Sequence, residues 1–182
     1  MLDMIFRVDY RIVHFINRRL RNPFFDYLNI AMTYLGSDVF ALGVILALVF
    51  LPQDTFRPFA VQSAMTLLVS TIVVQLLKRL IRRKRPFVHS KTLHSIRIGV
   101  DPFSFPSGHT TAAFGLAMSI SLLTISPMIR LVFFVLAFGV GFSRVYLAVH
   151  YPSDVIAGAI IGSSFALLVH FMMPALTLFI QQ

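Results

Sequence analysis

Cysteine and glutamate are both missing from this chain of 182 residues, and charged residues of any kind are few. The absence of cysteine excludes disulfide bonds, thiolate metal sites and a cysteine nucleophile. All seven acidic residues are aspartates, and only 13% of the residues are charged. A soluble domain carries about 25% charged residues, so this composition disfavours a soluble globular protein.

Apolar residues take the place of the missing charges. They make up 57% of the chain, give it a mean hydropathy of +0.82, and are gathered in long blocks. This distribution predicts a multi-pass protein of the cell membrane. The formal charge of +9 favours an anionic lipid or a phosphorylated substrate as partner. A nucleic acid is disfavoured, because the basic residues are not interleaved with an aromatic motif, and nothing points to an obligatory protein partner.

The N-terminal part predicts a helix that does not cross the membrane. Residues 4–20 carry apolar side chains at helical spacing, with arginines largely on the other side. Such an amphipathic helix lies in the membrane interface, so we assign residues 1–25 to an interfacial segment without a cleavable signal peptide. Two short apolar pieces follow at 24–35 and 39–51, and the sequence leaves open whether they form one helix or two.

Longer apolar runs fill the rest of the chain, and most approach the roughly 20 residues that a crossing helix needs. The runs cover residues 59–80, 109–125, 129–147 and 155–171. Together with the upstream pieces, they predict an all-α, polytopic transmembrane helical bundle with about five spans. The bundle is expected to form a single domain over residues 1–182.

Three polar clusters lie at the ends of these apolar runs. They are Lys78 with Arg85, then Ser107-Gly108-His109, then Arg144 with His150 and Asp154. If the spans alternate in direction, all of these ends lie on the same face of the membrane. The sequence therefore predicts a single pocket built from residues 78–154.

The first two clusters are suited to binding phosphate. Lys78 and Arg85 are seven residues apart, about two helical turns, and two cations on one helix face can hold one phosphate. Ser107 and Gly108 precede a long apolar run, where a helix N-terminus offers free N–H groups to an anion. His109 would lie beside that anion and could donate a proton. The alternatives are a basic cluster at the membrane surface and an ordinary helix cap.

The third cluster combines an imidazole with a carboxylate. Asp154 follows His150 by four residues and can reach its ring, which would fix the tautomer and stabilise the imidazolium during attack on phosphorus. Arg144 would be a third cation on the phosphate. The alternative is that Asp154 only caps a helix and that His150 is an interfacial aromatic residue.

The spacing K-x6-R-P, then P-S-G-H, then S-R-x5-H-x3-D resembles the three-part signature of the type 2 phosphatidic acid phosphatase (PAP2) superfamily. This superfamily includes bacterial lipid phosphatases, glucose-6-phosphatase and vanadium haloperoxidases. The resemblance implies that His150 is the nucleophile, that Asp154 orients it, and that His109 is the general acid. It also implies a set of phosphate ligands: Lys78, Arg85, Ser107, Gly108 and Arg144.

The function expected from this resemblance is hydrolysis of a lipid phosphate monoester or diphosphate through a phosphohistidine, with no metal and no cofactor. Phosphatidylglycerol phosphate, phosphatidic acid and undecaprenyl diphosphate are all compatible substrates. One alternative is a lipid phosphotransferase using the same site, and another is a non-catalytic bacitracin-resistance membrane component.

Two arguments disagree on which side of the membrane the pocket faces. The excess of basic residues at the membrane face that carries the pocket favours a pocket open to the cytoplasm. The resemblance favours the extracytoplasmic face, which is our expectation.

Overall fold

The computed structural model describes residues 2–180, and this part of the chain is helical, with no strand. The helices are α1 (Leu2–Arg19), α2 (Pro23–Leu35), α3 (Asp38–Phe50), α4 (Gln53–Ile81), α5 (Pro86–His89), α6 (Gly108–Leu123), α7 (Pro127–Tyr146) and α8 (Pro152–Ile180). The prediction of an all-α protein is confirmed for these residues.

Side chains at the helix starts explain where several of these helices begin. The Asn22 side chain accepts a hydrogen bond from the Phe25 amide at 3.0 Å, and Pro23 occupies the first turn of α2. Ser37 accepts from the Phe40 amide at 3.2 Å and so caps α3. These caps make α2 and α3 two separate helices, bent by 54° at the break between them.

Helix α6 lies at the centre of the bundle, packed against α4, α7 and α8. Two glycines of α8 allow a close approach to it. A Cβ at Gly158 would lie 2.7 Å from the Ser107 carbonyl oxygen, and a Cβ at Gly162 would collide with the Thr111 carbonyl. Since only glycine leaves this space, α8 can hold the start of α6 directly against the pocket.

Polar side chains face inward and apolar side chains face outward along α4. Gln62, Ser63, Thr66 and Ser70 are fully buried, and Gln62 Nε2 donates to the Ala166 carbonyl of α8 at 2.7 Å. On the opposite side of the helix Leu68 is exposed. Interhelical hydrogen bonds with an apolar exterior are typical of helices packed in a membrane.

The number of membrane spans differs from the predicted five. Among the described residues, three segments are long and apolar enough to cross, namely Phe56–His89, Pro127–Tyr146 and Pro152–Met173. Helices α2 and α3 add a fourth if the bent pair counts as one span. The difference arises at α6, whose 16 residues cover about 24 Å, less than the roughly 30 Å of a bilayer core. The count of five is therefore not confirmed.

The predicted N-terminal helix is present as α1, and its buried face is largely polar. Asp9, Val13 and Asn17 are buried, while Met4 and Phe15 are exposed. Asn17 Nδ2 donates to the Tyr146 carbonyl at 2.9 Å, which ties α1 to the end of α7. The position of α1 in the membrane interface remains a prediction.

Candidate active site

A cavity of about 330 Å³ lies where the predicted clusters meet. Of the predicted site residues, the structure places five on its wall: Lys78, Arg85, Gly108, His109 and His150. The other three, Ser107, Arg144 and Asp154, are fully buried directly behind this wall. The helix ends that carry the three clusters therefore converge in one place, as the alternation of spans predicts.

His150 follows the end of α7, in the connection to α8, and its ring lies between a cation and a carboxylate. Its Nε2 is 3.0 Å from Arg85 Nη1, and its Nδ1 is 3.5 Å from Asp154 Oδ2. Because a guanidinium can only donate, Nε2 must accept, and the ring proton then lies on Nδ1, near the Asp154 carboxylate but without a hydrogen bond to it. This tautomer leaves a lone pair on Nε2.

The surroundings of His150 keep its ring neutral. The side chain is almost completely buried, and burial, followed by the positive charges of Arg85 and Arg144, lowers the pKa of His150 well below its usual value. A neutral imidazole is the form that attacks phosphorus. The same cations that would bind a phosphate thus also favour the reactive state of the histidine.

Asp154 lies in the first turn of α8 and is held by hydrogen bonds at both oxygens. Oδ2 accepts from the Tyr151 amide at 2.8 Å, and Oδ1 accepts from Arg83 Nη1 at 2.6 Å. Asp154 therefore accepts from the amide that precedes α8, as a capping residue does, and its carboxylate also lies beside His150, so the two sequence interpretations of this residue are compatible.

Lys78 and Arg85 share one carboxylate, that of Asp101 in the connection before α6. Lys78 Nζ is 2.5 Å from Oδ2, and Arg85 Nη2 is 3.0 Å from Oδ1. Burial alone would raise the pKa of Asp101, but its hydrogen bond to Lys78 and the charges of Lys78 and Arg85 outweigh burial and lower the pKa. Asp101 fixes both cations at the pocket wall.

Arg144 is fully buried and holds the loop that covers His109. Its Nη1 donates to Thr33 Oγ1 at 2.5 Å and to the Ile98 carbonyl at 3.0 Å, and its Nη2 donates to the Gly99 carbonyl at 3.3 Å. The buried Nε has no hydrogen-bond partner among the described residues, so one donor of this guanidinium is still free.

The start of α6 supplies the other side of the pocket. Ser107 Oγ accepts from the Thr110 amide at 3.4 Å, which confirms Ser107 as the helix cap. A Cβ at Gly108 would meet only Val74, at 4.0 Å, so the backbone here is open to a ligand. The ring of His109 packs against Gly99, and its buried Nε2 has no hydrogen-bond partner within residues 2–180.

Sequence reasoning missed several residues around the site. Asp101 carried a usable signal, because it is the only acidic residue between Asp54 and Asp154 and lies among many cations. Arg83 carried none, since it is one of several basic residues in a row. Thr33 and Asp9 come from distant helices, and only the tertiary fold brings them to the site.

These observations define a class: a helical membrane protein with a pocket lined by two cations and two histidines. The match to the PAP2 superfamily model over residues 59–178 makes this specific, and the chain belongs to that superfamily.

Several curated relatives of this chain carry the names of lipid phosphatases. A lipid A 1-phosphatase of Rhizobium johnstonii is 40% identical over 57% of this chain, but the match spans only 43% of the relative's length. A lipid A 4'-phosphatase of Bacteroides thetaiotaomicron is 27% identical over 97% of this chain and 82% of its own. The undecaprenyl-diphosphatase BcrC of Bacillus subtilis is 28% identical over 78% and 71% respectively.

Solved structures share the fold. Aquifex aeolicus LpxE matches with a TM-score of 0.77 and 27% identity, covering 87% of this chain and 92% of that one. A PAP2-type phosphatidylglycerolphosphate phosphatase from Bacillus subtilis matches with a TM-score of 0.81 and 24% identity, covering 94% and 87%. At that identity the second likeness concerns the fold alone.

Proposed function

We propose that this protein hydrolyses a lipid phosphate monoester or diphosphate, with His150 as nucleophile. The observation that carries this proposal is the setting of the His150 ring. Its Nε2 faces the pocket beside Arg85, and its Nδ1 faces Asp154. A buried neutral imidazole between a phosphate-binding cation and an orienting carboxylate is suited to attack on phosphorus.

The reaction has two steps. In the first, Arg85 Nη1 turns from His150 Nε2 to the bound phosphate, and the freed Nε2 lone pair forms a bond to phosphorus. The bond from phosphorus to the lipid oxygen breaks while His109 protonates that oxygen. In the second, His109 takes a proton from water as the water oxygen attacks the phosphohistidine, and the P–N bond breaks to release phosphate. Asp154 stabilises the positive charge that develops on the ring.

The charge of the transferred group is balanced by the surrounding donors. Lys78, Arg85 and the backbone at Gly108 line the pocket, and the free Nε of Arg144 lies directly behind it. Ser107 holds the start of α6 so that its N–H groups point at the anion. Donors fixed before the reaction stabilise the transition state, and none of these steps requires a metal.

A neighbouring groove supports a lipid as the substrate. A second cavity of about 350 Å³ lies between α3 and α4, with mainly apolar walls, and shares Asp38 and Thr71 with the phosphate pocket. A lipid could place its phosphate in the first cavity and part of its chain in the second.

We further propose that α1 lies in the membrane interface and that α6, inside the bundle, is the fifth membrane-crossing helix. We also propose that residues 1–182 form one domain.

The test is phosphate release by the purified protein in detergent. The panel contains phosphatidylglycerol phosphate, phosphatidic acid, undecaprenyl diphosphate, a lipid A phosphate and water-soluble glycerol phosphate. We expect release from at least one lipid, and far less from glycerol phosphate. His150→Ala should remove the activity, whereas His170→Ala should keep it, since His170 lies about 27 Å along α8 from the helix start.

Other outcomes separate the alternatives. Transfer of labelled phosphate to a second lipid, instead of to water, would identify a phosphotransferase. No turnover on any lipid would favour the non-catalytic alternative and overturn the proposal.

We expect activity in the presence of a chelator and inhibition by vanadate, which adopts the geometry of the phosphoryl transition state. Restoration by magnesium after chelation would contradict metal independence.

We propose that the pocket faces the extracytoplasmic side of the cell membrane. The chain lacks cysteine, so single cysteines can report on sidedness. Thr92, on the pocket side, and Met128, at the start of α7 on the opposite side, are both exposed and uncharged, so neither substitution alters the charge distribution. Labelling of intact cells with an impermeant maleimide should modify Thr92→Cys and not Met128→Cys; the reverse pattern would place the pocket in the cytoplasm.

A further inference from the structure

Arg83 bridges two buried carboxylates behind the pocket. Its Nη1 donates to Asp154 Oδ1 at 2.6 Å and to Ser153 Oγ at 2.7 Å, and its Nη2 donates to Asp9 Oδ2 at 2.7 Å. The Arg83 side chain is 18% exposed, and those of Asp9 and Asp154 are 4% and 0% exposed. The guanidinium is thus the shared counter-ion of both acids.

Aromatic and backbone contacts fix the orientation of this guanidinium. Its central carbon lies 4.1 Å above the centre of the Tyr151 ring and 5.7 Å from that of Phe6. Asp9 also accepts from the Ser153 amide at 3.0 Å and from the Ser153 hydroxyl. The network therefore joins α1 to the first turn of α8, where Asp154 lies.

We propose that Arg83 is a positioning residue of the reaction, and that Asp9 of α1 holds Arg83 in place. This inference rests on the proposed function, since it acts through Asp154 and His150. Arg83 does not line the pocket, and both of its terminal nitrogens are taken by Asp154, Ser153 and Asp9, so it is not placed to bind the phosphate. Its hydrogen bond to Oδ1 turns the other carboxylate oxygen, Oδ2, toward the Tyr151 amide and His150 Nδ1.

The geometry also explains why the residue is an arginine. One planar guanidinium donates in two directions at once, toward Asp154 and toward Asp9. A lysine has a single nitrogen and cannot reproduce this fork. Without any cation here, two buried carboxylates would be left close together, and Asp154 would lose the contact that orients it.

The experiment compares two neighbouring cations. Arg83→Gln and Lys84→Gln remove the same charge one residue apart, but Lys84 is exposed to solvent. We expect Arg83→Gln to lower kcat roughly 10- to 100-fold with KM changed less than about threefold, because misplacing a reacting group by about 1 Å costs that much. Lys84→Gln should stay within about twofold of the wild type, and Arg83→Lys should recover part of the loss.

A double-mutant cycle distinguishes positioning from general destabilisation. In an Asp154→Asn background, Arg83→Gln should lower kcat by less than about threefold more, because the carboxylate through which it acts is already lost. A full additional loss in that background would overturn the proposal. So would a kcat of Arg83→Gln equal to that of Lys84→Gln.

Two further variants keep the outcomes separable. If Arg83→Gln does not fold, the Asp9→Asn variant is tested in its place, since it leaves Arg83 intact. We expect its kcat to fall roughly 3- to 10-fold at nearly unchanged KM. An unchanged kcat of Asp9→Asn would then overturn the proposal. If the wild type releases no phosphate, or if His150→Ala remains active, the proposed function fails. An active wild type with an unaffected Arg83→Gln rejects only the role of Arg83.

Discussion

His150 and His109 lie on the same pocket wall, but the structure holds their rings in different ways. His150, between α7 and α8, has Arg85 at one ring nitrogen and Asp154 at the other. His109, in the first turn of α6, packs against Gly99, and its Nε2 has no hydrogen-bond partner among residues 2–180. The His150 ring thus has a hydrogen bond from Arg85 at Nε2 and a carboxylate near Nδ1 that is not hydrogen-bonded to it, whereas Nε2 of His109 has neither.

This difference matches two chemical roles. A nucleophile must keep one tautomer through bond formation, so it benefits from a carboxylate beside its protonated nitrogen and from a cation at its other nitrogen that can turn to the bound phosphate. A general acid must give its proton to a substrate oxygen and later take one from water, so its nitrogen has to remain free for these partners. The carboxylate beside His150, which Nε2 of His109 lacks, is consistent with the proposed roles of His150 as nucleophile and His109 as acid.

The largest expected effect is that of removing the nucleophile. His150→Ala should lower kcat by about 10⁴-fold or more, because it removes the proposed nucleophile and leaves His109 without a carboxylate partner like Asp154. Phosphate release from the best substrate of the panel measures this. If the variant kept near-normal activity, the two histidines would have to exchange roles or both lose them.

His109→Ala should show a smaller effect that depends on the leaving group. We expect a loss of roughly 10²- to 10⁴-fold on a lipid alcohol, the usual contribution of a general acid. On an aryl phosphate, whose leaving oxygen needs no proton, the loss in the first step should largely disappear. His150→Ala should be equally inactive on both substrates. The burst of leaving-group release in single-turnover experiments isolates this first step, and equal losses for His109→Ala in the burst rates of both substrates would contradict its role as acid.

Gly99→Ala tests whether packing alone holds the acid. Gly99 has φ of +56°, and a Cβ there would lie 2.7 to 2.8 Å from ring atoms of His109. The ring must shift, so we expect kcat to fall roughly 10- to 100-fold. Gly43→Ala is the matched control, because a Cβ at Gly43 meets nothing within 4 Å. Equal activity of the two variants would show that the Gly99 contact does not position the acid.

The smallest effect concerns protonation of the nucleophile. Since burial and the cations Arg85 and Arg144 lower the pKa of His150, its ring should stay neutral as the pH falls through about 6.5, the usual value for histidine. NMR of the protein labelled at histidine, with His150→Ala to assign the signal, follows this titration. A ring that protonates at or above pH 6.5 would contradict the described surroundings.

Much of the site could be predicted from the sequence, because each motif follows or precedes an apolar run. Alternation of the spans then brings Lys78, His109 and His150 to one face. The partners of these residues could not be predicted in the same way. Arg83 is hidden in a basic run, and Asp9 reaches the site only because α1 packs against the start of α8.

The span count was less predictable, for a physical reason. Hydropathy detects apolar residues whether they face lipid or protein. Helix α6 is apolar but only 16 residues long, and it is buried among other helices, while α2 and α3 are separated by the caps at Gly36 and Ser37. Burial and capping, and not hydropathy, therefore determine how these segments pack.

The most direct test of the account is to trap the covalent intermediate. The protein is mixed with ³²P-labelled substrate, quenched within milliseconds and mapped by peptide analysis under alkaline conditions, where phosphohistidine survives. We expect acid-labile phosphate on His150, absent in His150→Ala and longer-lived where His109→Ala slows hydrolysis. Turnover without any bound phosphate, or label on His109 instead, would contradict the assignment of His150 as the nucleophile.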